Sequence, residues 1–188
     1  MKGLHILASV SLMLFTASSV AAELTSEIPK GDPEFIAKAA SAAPADIAKN
    51  ATFIRLADGF NPTTVKEGTN GWTCAIDLDG GPWCADAVGV DWFRAVYTQG
   101  EPPDKTGFVY MLVGDMGTSN HDPYATDKSH WVHTGPHVMI VGKAAHEMAA
   151  NYPNKVDPDP GHPYVMYPGN KKYQHLMLPA DMGSGHSQ

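Results

Sequence analysis

The chain has 188 residues, a formal net charge of −7 and 18% charged residues, a length that suits one domain with a sizeable core. No cluster of Lys and Arg runs along it of the kind that follows a phosphate backbone or an anionic membrane, which excludes nucleic acid as the expected partner.

Residues 1–22 read as a cleavable signal peptide. Lys2 supplies the positive start, and Gly3 to Val20 contains no Asp, Glu, Lys or Arg. Ser19-Val20-Ala21-Ala22 places small residues where a signal peptidase reads. The expected location is periplasmic or secreted. After leader cleavage no apolar stretch approaches spanning length, so no membrane span is expected.

Residues 23–180 read as one α+β domain with a mostly antiparallel sheet and a few short helices, because strands and helices mix without a regular βαβ alternation. Asp32-Pro33 opens a helix that ends by Pro44, and a second short turn runs to Lys49. Thr52 to Leu56, Thr63 to Lys66 and Gly71 to Ile76 are β-branched and aromatic enough for strands. Cys74 and Cys84 flank the turn Asp79-Gly80-Gly81-Pro82, and in an oxidising compartment such a pair is most simply a disulfide. Asp86 to Gln99 carries Val90, Phe93, Val96 and Tyr97 at helical spacing, with Gly100 as the stop.

Phe108 to Val113 reads as a buried strand. The next 22 residues, Gly114 to Gly135, have no clear period, and a loop that long inside a compact domain is either mobile or functional. Beyond it His137 to Val141 is a strand, Ala144 to Asn151 a short helix, and Pro163 to Tyr167 and Gln174 to Leu178 two further strands. The tail, 181–188, reads as disordered.

Chemistry concentrates in the second half. Eight of the nine histidines lie at or beyond His121, and seven of the nine methionines at or beyond Met111. Imidazole with thioether suits copper, and imidazole alone suits zinc. His137-Val138-Met139 and His175-Leu176-Met177 each place a His and a Met two residues apart, which on a strand is one face. If those strands are neighbours, two imidazoles and two thioethers close around a soft ion. His162, Tyr164 and Met166 repeat the spacing. The candidate metal set is therefore His121, His137, His175, Met139 and Met177, with His121-Asp122 contributed by the long loop. The opposing reading is packing, since methionine commonly fills gaps in cores.

A second arrangement uses His130, His133 and His137 in the pattern H-x2-H-x3-H, which could hold Zn²⁺ and a water in a hydrolytic centre. Pro136 argues against the helix that would align such a set. Catalytic residues are not assigned.

The segments Trp131-Val132-His133-Thr134-Gly135-Pro136-His137-Val138-Met139-Ile140-Val141-Gly142 and His175-Leu176-Met177-Leu178-Pro179 resemble those of a group of uncharacterised exported bacterial proteins. Glu67 to Cys74, Ser119 to Thr126 and Pro163 to Gly169 are similar to further segments of that group. The resemblance implies a bacterial exported protein and transfers no activity. Three readings stand: an exported small-ligand or metal-binding protein taking copper or zinc, a metal- or histidine-dependent hydrolase, and a structural envelope-associated domain without ligand.

Overall fold

A computed structural model describes residues 24–180; the expected leader, 1–22, and tail, 181–188, lie outside the described residues. Helix α1 (Asp32–Ala40) starts with proline in its first turn and buries Phe35 and Ala39. It is followed by α2 (Ala45–Ala48), β1 (Thr52–Arg55), β2 (Thr63–Lys66), β3 (Thr73–Ile76) and β4 (Pro82–Ala85). Then come α3 (Ala87–Thr98), β5 (Thr106–Met111), β6 (Thr118–Ser119), β7 (Trp131–Val132), β8 (His137–Gly142) and α4 (Lys143–Met148). The strands β9 (Tyr164–Met166) and β10 (His175–Pro179) complete the described chain.

Eight strands form one sheet in the order β2-β1-β3-β4-β5-β8-β10-β9, and β6 pairs with β7 in a small ladder. Every pairing is antiparallel except β1 with β3. This is the expected α+β class with a mostly antiparallel sheet and short helices.

The two faces of the sheet are covered differently. On one, Phe35 and Ala39 of α1 pack against Cys74, Ile76 and Cys84, while Ala149 beyond α4 packs with Val165 and Leu176. On the other, Trp92 and Phe93 of α3 pack against Trp83, Val109, Met139 and Met177. Alternation along each strand sends neighbouring residues to opposite layers, so both faces are apolar and the strands read as continuous hydrophobic runs. No helix among the described residues is long and apolar enough to cross a membrane.

The disulfide Cys74–Cys84 is formed, joining residues that lie directly opposite each other on β3 and β4. Strand β4 was not expected: its four residues, Pro82-Trp83-Cys84-Ala85, are all buried, lack a β-branched side chain and show no polar–apolar alternation. Its proline sits at the first position, where a missing N–H is tolerated. The turn therefore closes earlier than expected, with the Asp77 N–H donating to the Gly81 carbonyl at 2.7 Å.

Helix α3 is capped by Asp86, whose carboxylate accepts from the Gly89 N–H at 2.7 Å and from the Phe108 N–H of β5 at 3.1 Å. At its other end Gln99, not the expected Gly100, takes the left-handed conformation.

Candidate functional site

The sheet register assembles one face from four adjacent strands. Met111 on β5 lies opposite His137 on β8, and Val109 opposite Met139. Met139 lies opposite Met177 on β10, which in turn lies opposite Tyr164 on β9. His175 lies opposite Met166. Directly opposed residues share a face with Cβ atoms about 5 Å apart. This face forms the floor of a cavity of about 340 Å³, lined by His137, His175 and the sulfurs' carriers Met111, Met139, Met166 and Met177.

The two histidines are held identically. Nδ1 of His137 donates to the carbonyl of Gly135 at 2.7 Å, and Nδ1 of His175 donates to the carbonyl of Tyr173 at 3.1 Å. In each case the acceptor lies two residues upstream. A carbonyl can only accept, so the proton sits on Nδ1 and Nε2 keeps its lone pair. Both Nε2 atoms are buried and have no hydrogen-bond partner among the described residues. An imidazole whose other nitrogen donates to a backbone carbonyl is oriented for a metal or a hydrogen-bond donor at Nε2. Trp92 and Tyr167 meet the His175 ring edge-on, with centroids at 4.8 and 5.1 Å.

The long loop after β5 supplies the opposite wall, through Asp115, Met116, Thr118 and Tyr124. Buried Asn120 anchors it. Its amide donates to the carbonyl of Lys155 at 2.8 Å, its backbone N–H donates to the His130 carbonyl at 2.8 Å, and its backbone carbonyl accepts from Tyr167 at 3.1 Å. Asp115 accepts from the N–H groups of Gly117 and Thr134, at 2.9 and 3.0 Å, and the Thr134 hydroxyl meets the Tyr164 hydroxyl at 2.7 Å. Aperiodic sequence thus becomes ordered wall, because side chains take over the hydrogen bonds that a strand ladder would have made.

Burial dominates the electrostatics. It lowers the pKa of His137 and brings that of His175 down to about 4, so both rings are neutral near pH 7. Asp77, also on the cavity wall, is pushed up to about 7 by burial and by the nearby charge of Asp79; the Tyr97 hydroxyl donates to it. Asp115 is raised by burial against the opposing pull of His137.

Of the sequence-derived metal set, His137, Met139, His175 and Met177 come together on this cavity. His121 does not: it is exposed, beside His130 with ring centroids 6.1 Å apart, and lies outside the cavity lining. The members of the H-x2-H-x3-H pattern face different partners. His130 pairs with Asp157 at 2.7 Å, His133 accepts from the Trp131 indole at 3.1 Å, and His137 points into the core. His162 is exposed beside Asp159 and precedes β9. Among the described residues no group of three or more His, Cys, Asp or Glu side chains is arranged to hold a metal. The soft donors that line the cavity beside these two imidazoles are the thioethers of Met111, Met116, Met139, Met166 and Met177.

Sequence reasoning did not find Asp77, Trp92, Tyr97 or Tyr124 on this cavity. Trp92 and Tyr97 share α3, and helical spacing could have offered them. Asp77 belongs to the disulfide turn, and only the sheet brings that turn to the cavity. Comparison of the chain with protein-family models, with curated proteins and with solved structures finds no match.

Proposed function

We propose that this protein binds monovalent copper in the His/Met-lined cavity and does so outside the cytoplasm. One observation carries the proposal: His137 and His175 each hold a neutral imidazole with Nδ1 donated to a backbone carbonyl and Nε2 buried without a partner among the described residues, and both residues line a cavity floored by methionines. Leaving such an acceptor unsatisfied costs about 1–3 kcal/mol, which a ligand at Nε2 would recover. Thioether and imidazole together favour Cu(I) over Zn²⁺. The leader composition and the formed disulfide support an oxidising compartment.

The test is a Cu(I) titration of the exported, disulfide-intact protein against a chromophoric Cu(I) chelator, with Zn²⁺ in parallel. Tight Cu(I) uptake that fails in the double variant His137→Gln/His175→Gln supports the reading. Uptake equal in wild type and double variant, or no uptake, overturns it.

A second reading is favoured by size alone. A cavity of about 340 Å³ exceeds the needs of an ion and lies within the range of small-molecule sites. An organic ligand bearing N–H or O–H donors would satisfy the same two Nε2 atoms.

A further inference from the structure

The copper reading above leaves open how many ions the cavity takes, and the register bears directly on that number. Leu176 lies opposite Ile140 and Pro179 opposite His137, so His175 is displaced from His137 by four residues along the strands. At about 3.3 Å per residue that is about 13 Å between their backbones, a long reach for two imidazoles to meet on one ion.

Each histidine instead has its own methionines. His137 has Met111 directly across on β5 and Met139 two residues along β8. His175 has Met166 directly across on β9 and Met177 two residues along β10. Met139 and Met177 are directly opposed, so the two groups meet at this pair. All six residues line the one cavity, and both imidazole Nε2 atoms are buried without a partner among the described residues. The pattern is the same twice: a carbonyl-locked imidazole, a cross-strand thioether and a thioether two residues on.

We propose that the cavity holds two Cu(I) ions, one bound by His137 with Met111 and Met139 and the other by His175 with Met166 and Met177. Each site is a one-nitrogen, two-sulfur set of the soft kind that selects Cu(I). The proposal rests on the copper reading, and adds to it that the two imidazoles serve different ions.

The experiment is a stoichiometric Cu(I) titration of the disulfide-intact protein with ascorbate as reductant and a competing chromophoric chelator. Two ions per chain are expected in the wild type. One is expected in each of His137→Gln and His175→Gln. Met111→Leu should weaken only the ion lost in His137→Gln by tenfold or more, and Met166→Leu only the ion lost in His175→Gln. These leucine variants conserve volume, so they report even where a histidine variant does not fold. One ion per chain, lost on changing either histidine, overturns the two-site inference and leaves the copper reading standing. No uptake in the wild type overturns both.

Discussion

Met139 on β8 and Met177 on β10 lie directly opposite each other in an antiparallel ladder, and both line the cavity that His137 and His175 also line. In a purely structural core this pair would be interchangeable with leucine. Met139→Leu and Met177→Leu should each change unfolding free energy by less than about 1.5 kcal/mol, since they nearly conserve volume. On the copper reading each should nonetheless reduce Cu(I) affinity by about tenfold, the loss of one soft ligand. Urea unfolding and chelator competition on the same preparations separate the two effects. Unchanged copper affinity in both variants would return the methionines to packing.

Two buried groups on the cavity make opposite contributions to pH dependence. His175 has a folded pKa of about 4 against about 6.5 unfolded, so the unfolded chain takes up its proton first. Stability from this group is therefore full above about pH 6.5 and lost as pH falls toward 4, about 3 kcal/mol in all. Asp77 has a folded pKa of about 7 against about 3.9 unfolded. Its contribution is full below about pH 4 and lost as pH rises to 7, about 4 kcal/mol in all. His137 shifts in the same direction as His175, and Asp115 in the same direction as Asp77.

The opposed slopes should flatten the wild-type profile between pH 4.5 and 6.5, taken as about the window between the unfolded pKa values. Asp77→Asn removes one of them and keeps an acceptor for Tyr97. The variant should match the wild type near pH 4, exceed it increasingly as pH rises to about 7 and keep a constant margin above that. Parallel profiles by urea unfolding across this range would refute the assignment of a buried, protonated Asp77.

The disulfide acts on the far side of the sheet from the cavity. Cys74 and Cys84 pack with Phe35 and Ala39, and the loop they close spans a sequence separation of 10. Chain entropy for a loop of that size gives about 3 kcal/mol. Cys74→Ala/Cys84→Ala should lower the urea midpoint accordingly while leaving ligand uptake at the His/Met face unchanged. A parallel loss of uptake in the folded variant would show that the two faces are coupled.

Two glycines of positive φ differ in what an alanine there would meet. Gly142, at the end of β8, and Gly71, before β3, both sit at φ +77°. A Cβ on Gly71 meets nothing within 4 Å, whereas one on Gly142 would lie 1.9 Å from the Lys105 carbonyl oxygen. Gly71→Ala should cost about 1–2 kcal/mol, the price of the left-handed region alone. Gly142→Ala should cost clearly more, because φ +77° with ψ −147° is a region essentially restricted to glycine and because the methyl group would also clash with the Lys105 carbonyl oxygen. Thermal unfolding of the two variants side by side checks the ordering, and equal losses would contradict it.

Much of the fold was legible because periodicity and punctuation are local. Pro33 at a helix start, the stripe through Phe93, the β-branched run at Thr63 to Lys66 and the apolar runs at β5 and β8 each carry their own signal within a few residues. The disulfide was legible for a similar reason, since two cysteines around one turn have few partners to choose between. Strand β4 was not, because Pro82-Trp83-Cys84-Ala85 shows no alternation and, unlike β5 and β8, has no β-branched residue.

The candidate site divides along the same line. A His and a Met two residues apart on a strand must share a face, so His137 with Met139 and His175 with Met177 followed from the sequence by itself. Strand order decided the rest: which face looks inward, that Met111 and Met166 stand across from the two histidines, and that the histidines are offset by four residues. His121 stays at the surface for the same kind of reason, since the loop around it is positioned by Asn120 and its contacts to Lys155, His130 and Tyr167, residues far apart in the chain. Pairing between distant strands depends on the summed burial of both faces, and that sum exists only in the assembled sheet.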